Sequence, residues 1–190
     1  MPVRAERDRE SPGRAASVLR VARAQSGDRA ALEALLRDHQ QPLYRHVRTI
    51  TGDPDLAFDV LQSVLLIVVR RLAGLRDPRW FRAWAYRIAT REAVRAIRRR
   101  SRDLMLFDGA TALDNVPDTT PEADPMLVRA CADRLGALPP AAEITLRLHY
   151  LEEMSLVEIA EALEIPLGTV KSRLAYGLVR LREELGPVTA

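Results

Sequence analysis

With 190 residues the chain is long enough for one ordinary domain or two small ones, each with a modest core. Its net charge of +3 and isoelectric point near 9.5 are mild, so a polyanionic partner would be chosen by where the charges sit. Cys131 is the sole cysteine, which excludes an internal disulfide, and no secretory leader opens the chain, so a reducing, cytoplasmic setting is expected.

Residues 1–14 mix Pro, Gly and charges of both signs without periodicity and read as a loose arm. From Asp28 to His39, helical spacing puts Ala31, Leu32, Leu35 and Leu36 on one face. Pro42 predicts a break, followed by a second helix carrying Leu43, Val47 and Ile50 and ended by Thr51-Gly52. Asp53-Pro54 is an N-cap with proline at the first helical position, opening a helix with the apolar stripe Leu56, Val60, Leu61, Val64, Leu65 and Val68. The run Val64 to Val69, far short of the roughly 20 residues of a membrane span, reads as a buried helix face ending near Gly74. Asp77-Pro78 repeats the capping device and starts a long segment to about Arg100 with Trp80, Phe81, Trp84, Tyr86, Ile88 and Ile97.

Charge then changes sign along the chain. Between Arg70 and Arg102 there are 12 arginines against Asp77 and Glu92, whereas 103–125 holds six acids, three prolines and no basic residue. That segment reads as an acidic flexible linker between two domains, leaving the free halves without a fixed spacing. Helical patterning resumes near Glu122, breaks at Pro139-Pro140 and continues through Ile144, Leu146, Leu148 and Leu151. Ser155-Leu156-Val157-Glu158 has the spacing of a capping box and opens a helix of about two turns. After Glu164-Ile165-Pro166 a last helix, Leu167 to about Glu184, turns Val170, Leu174, Leu178, Leu181 and Leu185 inward. No β alternation or internal repeat is present. The expectation is an all-α chain of two small helical domains joined by the acidic linker: arm 1–14, N-terminal domain 15–102, linker 103–125 and C-terminal helix-turn-helix domain 126–190.

Two features point to nucleic acid. Arg87, Arg91, Arg95, Arg98 and Arg102 project within an arc of about 80° on one helix face. Such a stripe is either a solvated surface or a track for phosphates, and Trp80, Phe81 and Trp84 beside it are either core residues or stacking platforms for exposed bases. The second feature is the helix pair joined by a three-residue turn, the dimensions of a helix-turn-helix. Ala160 is small where the two helices would cross, and Gly168, Thr169, Lys171, Ser172 and Arg173 stand where a recognition helix meets base edges and phosphates. No nucleophile is assembled with a base, and His39, His46 and His149 lack metal-ligand partners at helical spacing, so neither an enzyme nor a metal or other cofactor is implied.

These residues resemble the extracytoplasmic-function sigma factors of bacterial RNA polymerase, over nearly the whole stretch from Gly27 to Leu185. Gly27-Asp28, Leu43-Tyr44-Arg45, Thr51-Gly52-Asp53, Asp59 with Gln62, Phe81-Arg82-Ala83-Trp84, Tyr86-Arg87-Ile88-Ala89 and Arg98-Arg99-Arg100 are similar to the family's N-terminal domain. Ala137-Leu138-Pro139, Glu158-Ile159-Ala160 and Gly168-Thr169-Val170-Lys171-Ser172-Arg173-Leu174 are similar to the domain that reads the minus-thirty-five element. The resemblance implies that Asp59 and Gln62 contact the clamp helices of core RNA polymerase. It also implies that the Trp80 to Arg102 helix reads and melts the minus-ten element, and that the linker threads the polymerase channels. The implied partners are core polymerase, promoter DNA and an anti-sigma factor, with no membrane insertion.

Several positions depart from the family pattern. Phe58 and Ser63 replace acids, Ile67 and Val69 replace a basic residue and a tryptophan, Arg91 and Arg95 replace Asn and Asp, Tyr176 and Leu178 replace arginines, and Glu164 replaces the turn glycine. The rival readings are a stand-alone helix-turn-helix regulator and a degenerate sigma acting as an interaction protein.

Overall fold

The computed structural model describes residues 12–103, 128 and 132–185, among which all regular structure is helical. The acidic segment lies outside the described residues apart from Asp103, as do residues 1–11 of the arm.

The N-terminal half is built from α1 (Pro12–Gln25), α2 (Arg29–Thr51), α3 (Pro54–Arg71) and α4 (Phe81–Asp103). Helix α1 begins inside the stretch expected to be an arm and is tied down at its far end. There Gln25 Nε2 donates to the carbonyls of Leu72 and Leu75, at 3.0 and 2.7 Å, where α3 finishes in a 3₁₀ turn, Leu72–Gly74. Asp28 caps α2 by accepting from the Ala31 amide at 2.9 Å and holds Arg23 as well; the first of these contacts contributes most to keeping its carboxyl below the usual range.

The break expected at Pro42 does not occur, because α2 runs through it. Proline inside a helix costs about 3 kcal/mol, but Leu35, Leu43 and Val47 form one buried row on either side of it. Ending the helix at residue 41 would turn that row out of register with α3 and α4. Burial of three such side chains, at about 1.5–3 kcal/mol each, outweighs the proline. The device at Asp53 forms as expected, its carboxylate accepting from the Asp55 and Leu56 amides at 2.9 and 3.1 Å, while Gly52 closes α2 with φ +69°.

The apolar run in α3 is two-sided rather than wholly buried. Val64 and Val68 are in the core, but Leu66 and Val69 face outward, 56% and 43% exposed. Between α2 and α4, the buried His46 meets Thr90 at 2.9 Å. Thr90 already donates its hydroxyl proton to the Tyr86 carbonyl, so His46 Nε2–H is the donor.

The C-terminal half comprises a 3₁₀ turn Ala132–Ala137, α5 (Pro140–Leu146) continued by a wide π turn Arg147–Leu151, α6 (Leu156–Leu163) and α7 (Leu167–Leu185). Val170, Leu174, Leu178 and Leu181 of α7 are buried as the spacing predicts. One close helix crossing is at Gly177, where an added Cβ would meet Leu146 Cδ1 at 2.8 Å and Ala142 Cβ at 3.3 Å. Helical spacing directs attention to Ala160 for a close crossing and does not single out Gly177.

The two halves pack on each other: α6 lies along α4, and α5 also touches α2. This differs from the expectation of free halves without a fixed spacing. Its physical basis is a seam of arginine–glutamate pairs together with small residues on α4, both described below.

The packing makes two expectations testable. Gly177→Val should destabilise by about 1–3 kcal/mol through overpacking, whereas Gly168→Ala, whose Cβ meets nothing within 4 Å, should stay neutral or stabilise; urea denaturation of both variants compares them. Burial drives His46 down to about 3, from an ordinary value of 6.5. The unfolded chain therefore takes up a proton that the folded chain refuses. Stability is full above pH 6.5 and falls as the pH drops towards 3, by at most about 1.4 kcal/mol per pH unit from this group. His39, also pushed down by burial, adds to the trend. The urea midpoint should drop between pH 7.5 and 5, and the drop should be smaller in His46→Gln; an equal drop in both proteins would clear His46 of the effect.

Candidate nucleic-acid interface

Asp77 opens the segment leading to α4, accepting from the Arg79 amide at 3.0 Å, and the 3₁₀ turn Pro78–Trp80 runs directly into the helix. This geometry separates the three aromatics. Trp80 stays 39% exposed, Phe81 is buried edge-on to His39 with ring centroids 5.1 Å apart, and Trp84 is half-buried, 6.0 Å from Phe81. Phe81 is thus a core residue. Of the three, Trp80 is the most exposed.

The arginine stripe is not uniformly solvated. Arg95 is paired with Glu92 at 2.6 Å, one turn away, and Arg98 is exposed. The side chain of Arg102 lies outside the described residues. Arg87 and Arg91 instead face the C-terminal half, where Arg87 pairs with Glu161. Arg91 grips Glu164 with two nitrogens, Nε donating to Oε2 at 2.9 Å. The Arg91 hydrogen bond holds the Glu164 carboxyl below its usual range and in turn raises the guanidinium. Lower on the seam, Glu152 lies 3.9 Å from Arg45 and 3.7 Å from Arg82. It also contributes, after burial, to pushing the Tyr86 phenol well above its ordinary value. Glu152, Glu161 and Glu164 are not marked as partners by the sequence, since helical spacing says nothing about contacts in another domain.

In the helix-turn-helix, the capping box forms in both directions. The Glu158 amide donates to Ser155 Oγ at 3.2 Å and the Ser155 amide to Glu158 Oε2 at 2.8 Å. Helix α6 then ends at Glu164 in the left-handed conformation, φ +57°, where a non-glycine residue costs about 1–2 kcal/mol. The turn delivers Gly168 to the surface and leaves Thr169, Lys171, Ser172 and Arg173 half-exposed around the buried Val170. Ser172 Oγ donates to the Thr169 carbonyl at 3.0 Å, which fixes its rotamer. Neither Lys171 nor Arg173 has an ion-pair partner among the described residues, and partial burial lowers Arg173 from its usual value.

Asp59 and Gln62 are exposed on α3. Phe58 and Leu66, 54% and 56% exposed, flank them on the same outward face, which is therefore partly apolar. A cleft of about 340 Å³ between α3 and α4 brings Asp59 and Ser63 near Glu92, Arg99 and Arg100.

This arrangement is that of an all-helical protein carrying an arginine-rich helix, α4, and a helix-turn-helix pair, α6–α7, the architecture of a DNA-binding transcription factor. The sigma-70 region 2 family matches residues 35–103 and the sigma-70 region 4 family matches residues 134–183. The sigma factor SigL of Mycobacterium tuberculosis is 33% identical, covering 88% of this chain and 97% of its own length. SigW of Bacillus subtilis is 28% identical, covering 87% and 95%. A structure of CnrH in complex with the cytosolic domain of CnrY has a similar fold, with a TM-score of 0.58 at 24% identity over 90% of this chain and 97% of that one. The chain belongs to the extracytoplasmic-function sigma factors of bacterial RNA polymerase. It is an alternative sigma factor that binds core polymerase and directs it to promoter DNA, and it is not an enzyme. Among the described residues no helix is long and apolar enough to cross a membrane.

Because the capping box fixes the start of α6, Ser155→Ala should cost about 1 kcal/mol and lower the melting temperature of the protein. Ser155→Asp, which keeps an acceptor at the cap, should restore most of the loss in the same thermal scan.

Proposed function

We propose that this sigma factor, working in the cytoplasm, reads promoters at two sites. Residues 15–102 form the unit that binds polymerase and the minus-ten element, and 126–190 the unit that binds the minus-thirty-five element. The acidic 103–125 segment joins them, and 1–14 precede them as an arm. Asp59 and Gln62, on the outward face of α3, contact polymerase, with Phe58 and Leu66 adding apolar area to that contact.

The observation that carries the assignment at the upstream element is the state of the cations on α7. Arg87, Arg91 and Arg95 of α4 each have a carboxylate partner, but Lys171 and Arg173 have none among the described residues. A half-buried guanidinium without an anion gains most from a phosphate or a guanine edge, since part of its desolvation is already complete. Gly168 leaves room for close backbone approach, while Thr169 and Ser172 supply hydroxyls beside it. On α4, Arg87, Arg91, Arg95, Arg98 and Arg102 track the phosphates of the opened strand, and Trp80, with Trp84 behind it, stacks on an unpaired base. Neither step makes or breaks a covalent bond. A protein that holds the chain inactive, an anti-sigma factor, is a further partner in this reading, supported by the likeness to CnrH bound to the cytosolic domain of CnrY.

Run-off transcription with core polymerase tests the division of labour. Arg173→Ala should lose about 1–3 kcal/mol, roughly 5- to 150-fold, on promoters that depend on the upstream element and little on promoters independent of it. Arg95→Ala with Arg98→Ala should instead impair open-complex formation on both and make its salt dependence shallower, by about 0.7 for each strand phosphate left without its arginine. Normal open complex across a salt series would reduce the stripe to a solvated surface.

A further inference from the structure

Four ion pairs across the seam between the halves share one polarity. Arg45, Arg82, Arg87 and Arg91 come from the N-terminal half, and Glu152, Glu161 and Glu164 from the C-terminal half. Two of those arginines belong to the stripe assigned to the opened strand. The carboxylates of Glu161 and Glu164 face them at charge-assisted hydrogen-bond distance.

Glu164 is the more telling of the two acids. It holds a left-handed backbone position that glycine would adopt without strain, and its side chain grips Arg91 with two nitrogens. Both residues are departures from the family pattern, and each accounts for the other: an acid kept at a strained turn meets an arginine on the facing helix. Helix α6, rather than α7, lies along α4, so the Arg87–Arg91 end of the stripe is partly covered.

Geometry sets the closed form against promoter binding. Elements about 25 base pairs apart are separated by roughly 85 Å at about 3.4 Å per base pair, and two helices in side-by-side contact cannot occupy both. The 24 residues between Asp103 and Val128 can reach about 80 Å fully extended, so the chain is long enough for the halves to part.

We propose that Glu161 and Glu164 act as an internal phosphate mimic, latching the helix-turn-helix onto Arg87 and Arg91 so that the free protein is closed and occupies the Arg87–Arg91 end of its own strand-binding stripe until polymerase separates the halves. This rests on the reading of the stripe as a strand-binding surface. The two latch pairs are partly exposed, with side chains 31–53% accessible, so each is a weak, salt-screened contact. That weakness suits a latch that polymerase has to open.

The experiment uses the full chain without polymerase. Small-angle scattering compares wild type, Glu161→Gln with Glu164→Gly, and a charge-matched control, Glu33→Gln with Glu183→Gln, whose acids lie away from the seam. Fluorescence anisotropy with a labelled single-stranded oligodeoxynucleotide measures stripe access in the same proteins. Glycine at 164 relieves the left-handed strain, so the latch variant should fold, and a thermal scan verifies this. The latch variant should have a larger radius of gyration and bind the oligonucleotide about two- to thirtyfold more tightly than the control, the range that two exposed ion pairs span. Raising the salt concentration should expand wild type towards the variant. Glu164→Arg alone should open the chain, and Arg91→Glu added to it should close it again in the scattering measurement.

An unchanged radius in the latch variant, or no reclosure by the swapped pair, overturns the latch. Expansion without tighter oligonucleotide binding overturns the mimic. In that case Arg95→Ala with Arg98→Ala, placed in the opened background, identifies the fault. Unchanged binding there means that the stripe is not a strand-binding surface, whereas weakened binding means that the stripe binds DNA but the closed form does not obstruct it.

Discussion

Helix α4 has to be buried on one side and highly cationic on the other, and the rest of the molecule is arranged around that requirement. Ala83, Ala85, Ala89, Ala93 and Ala96 are all buried, so the helix meets its neighbours largely through methyl groups. Alanine has the highest helix propensity and loses no rotamer freedom on burial, which allows 23 residues rich in like charge to stay helical. The small side chains also let helices approach closely. α2 and α3 pack against α4 within the N-terminal half, and α6 comes from the C-terminal half. The larger apolar residues of α4 serve at its edges, with Phe81 and Tyr86 buried and Trp84, Ile88 and Ile97 only half-covered.

This architecture governs electrostatics as well as packing. A helix whose exposed positions are mostly arginine repels itself unless anions lie nearby. Those anions come from three sources here: Glu92 on the same helix, Asp53 at the start of α3 for Arg100, and the glutamates of the C-terminal half. Only the last are separable from α4 by movement of a whole domain, since the others are fixed within the N-terminal half. Lys171 and Arg173 of α7 lie outside this system, without an ion-pair partner among the described residues, whereas Arg87 and Arg91 are engaged by the C-terminal half.

Much of the site was legible because short-range chemistry sets it. Asp53-Pro54, Asp77-Pro78 and Ser155 to Glu158 are local capping arrangements, and each forms where the spacing places it. The buried row of α7 and the three-residue turn before it follow from helical periodicity in the same way. Pro42 marks the limit of that reasoning. A local rule predicts a break there, but the continuity of a buried row contributed by residues on both sides decides the outcome, and that row is defined only by α3 and α4. The apolar run in α3 fails for a related reason: unbroken hydrophobicity does not say which of its faces has a partner.

By itself, then, the sequence determined the helical class, the capping points, the two-part plan, the family and the cationic character of α4 and of the start of α7. Each of these depends on residues within a turn or two of one another, or on motifs that survive as strings. The tertiary structure alone decided which aromatic stays outside, that α7 crosses α5 closely at Gly177, and which acids lie opposite the stripe. Gly177 is small because of Leu146 and Ala142, and Arg91 is engaged because Glu164 lies 73 residues away in sequence but within hydrogen-bond distance in space. Contacts of that kind depend on how the chain returns on itself, and no local pattern of charge or hydrophobicity encodes their partners.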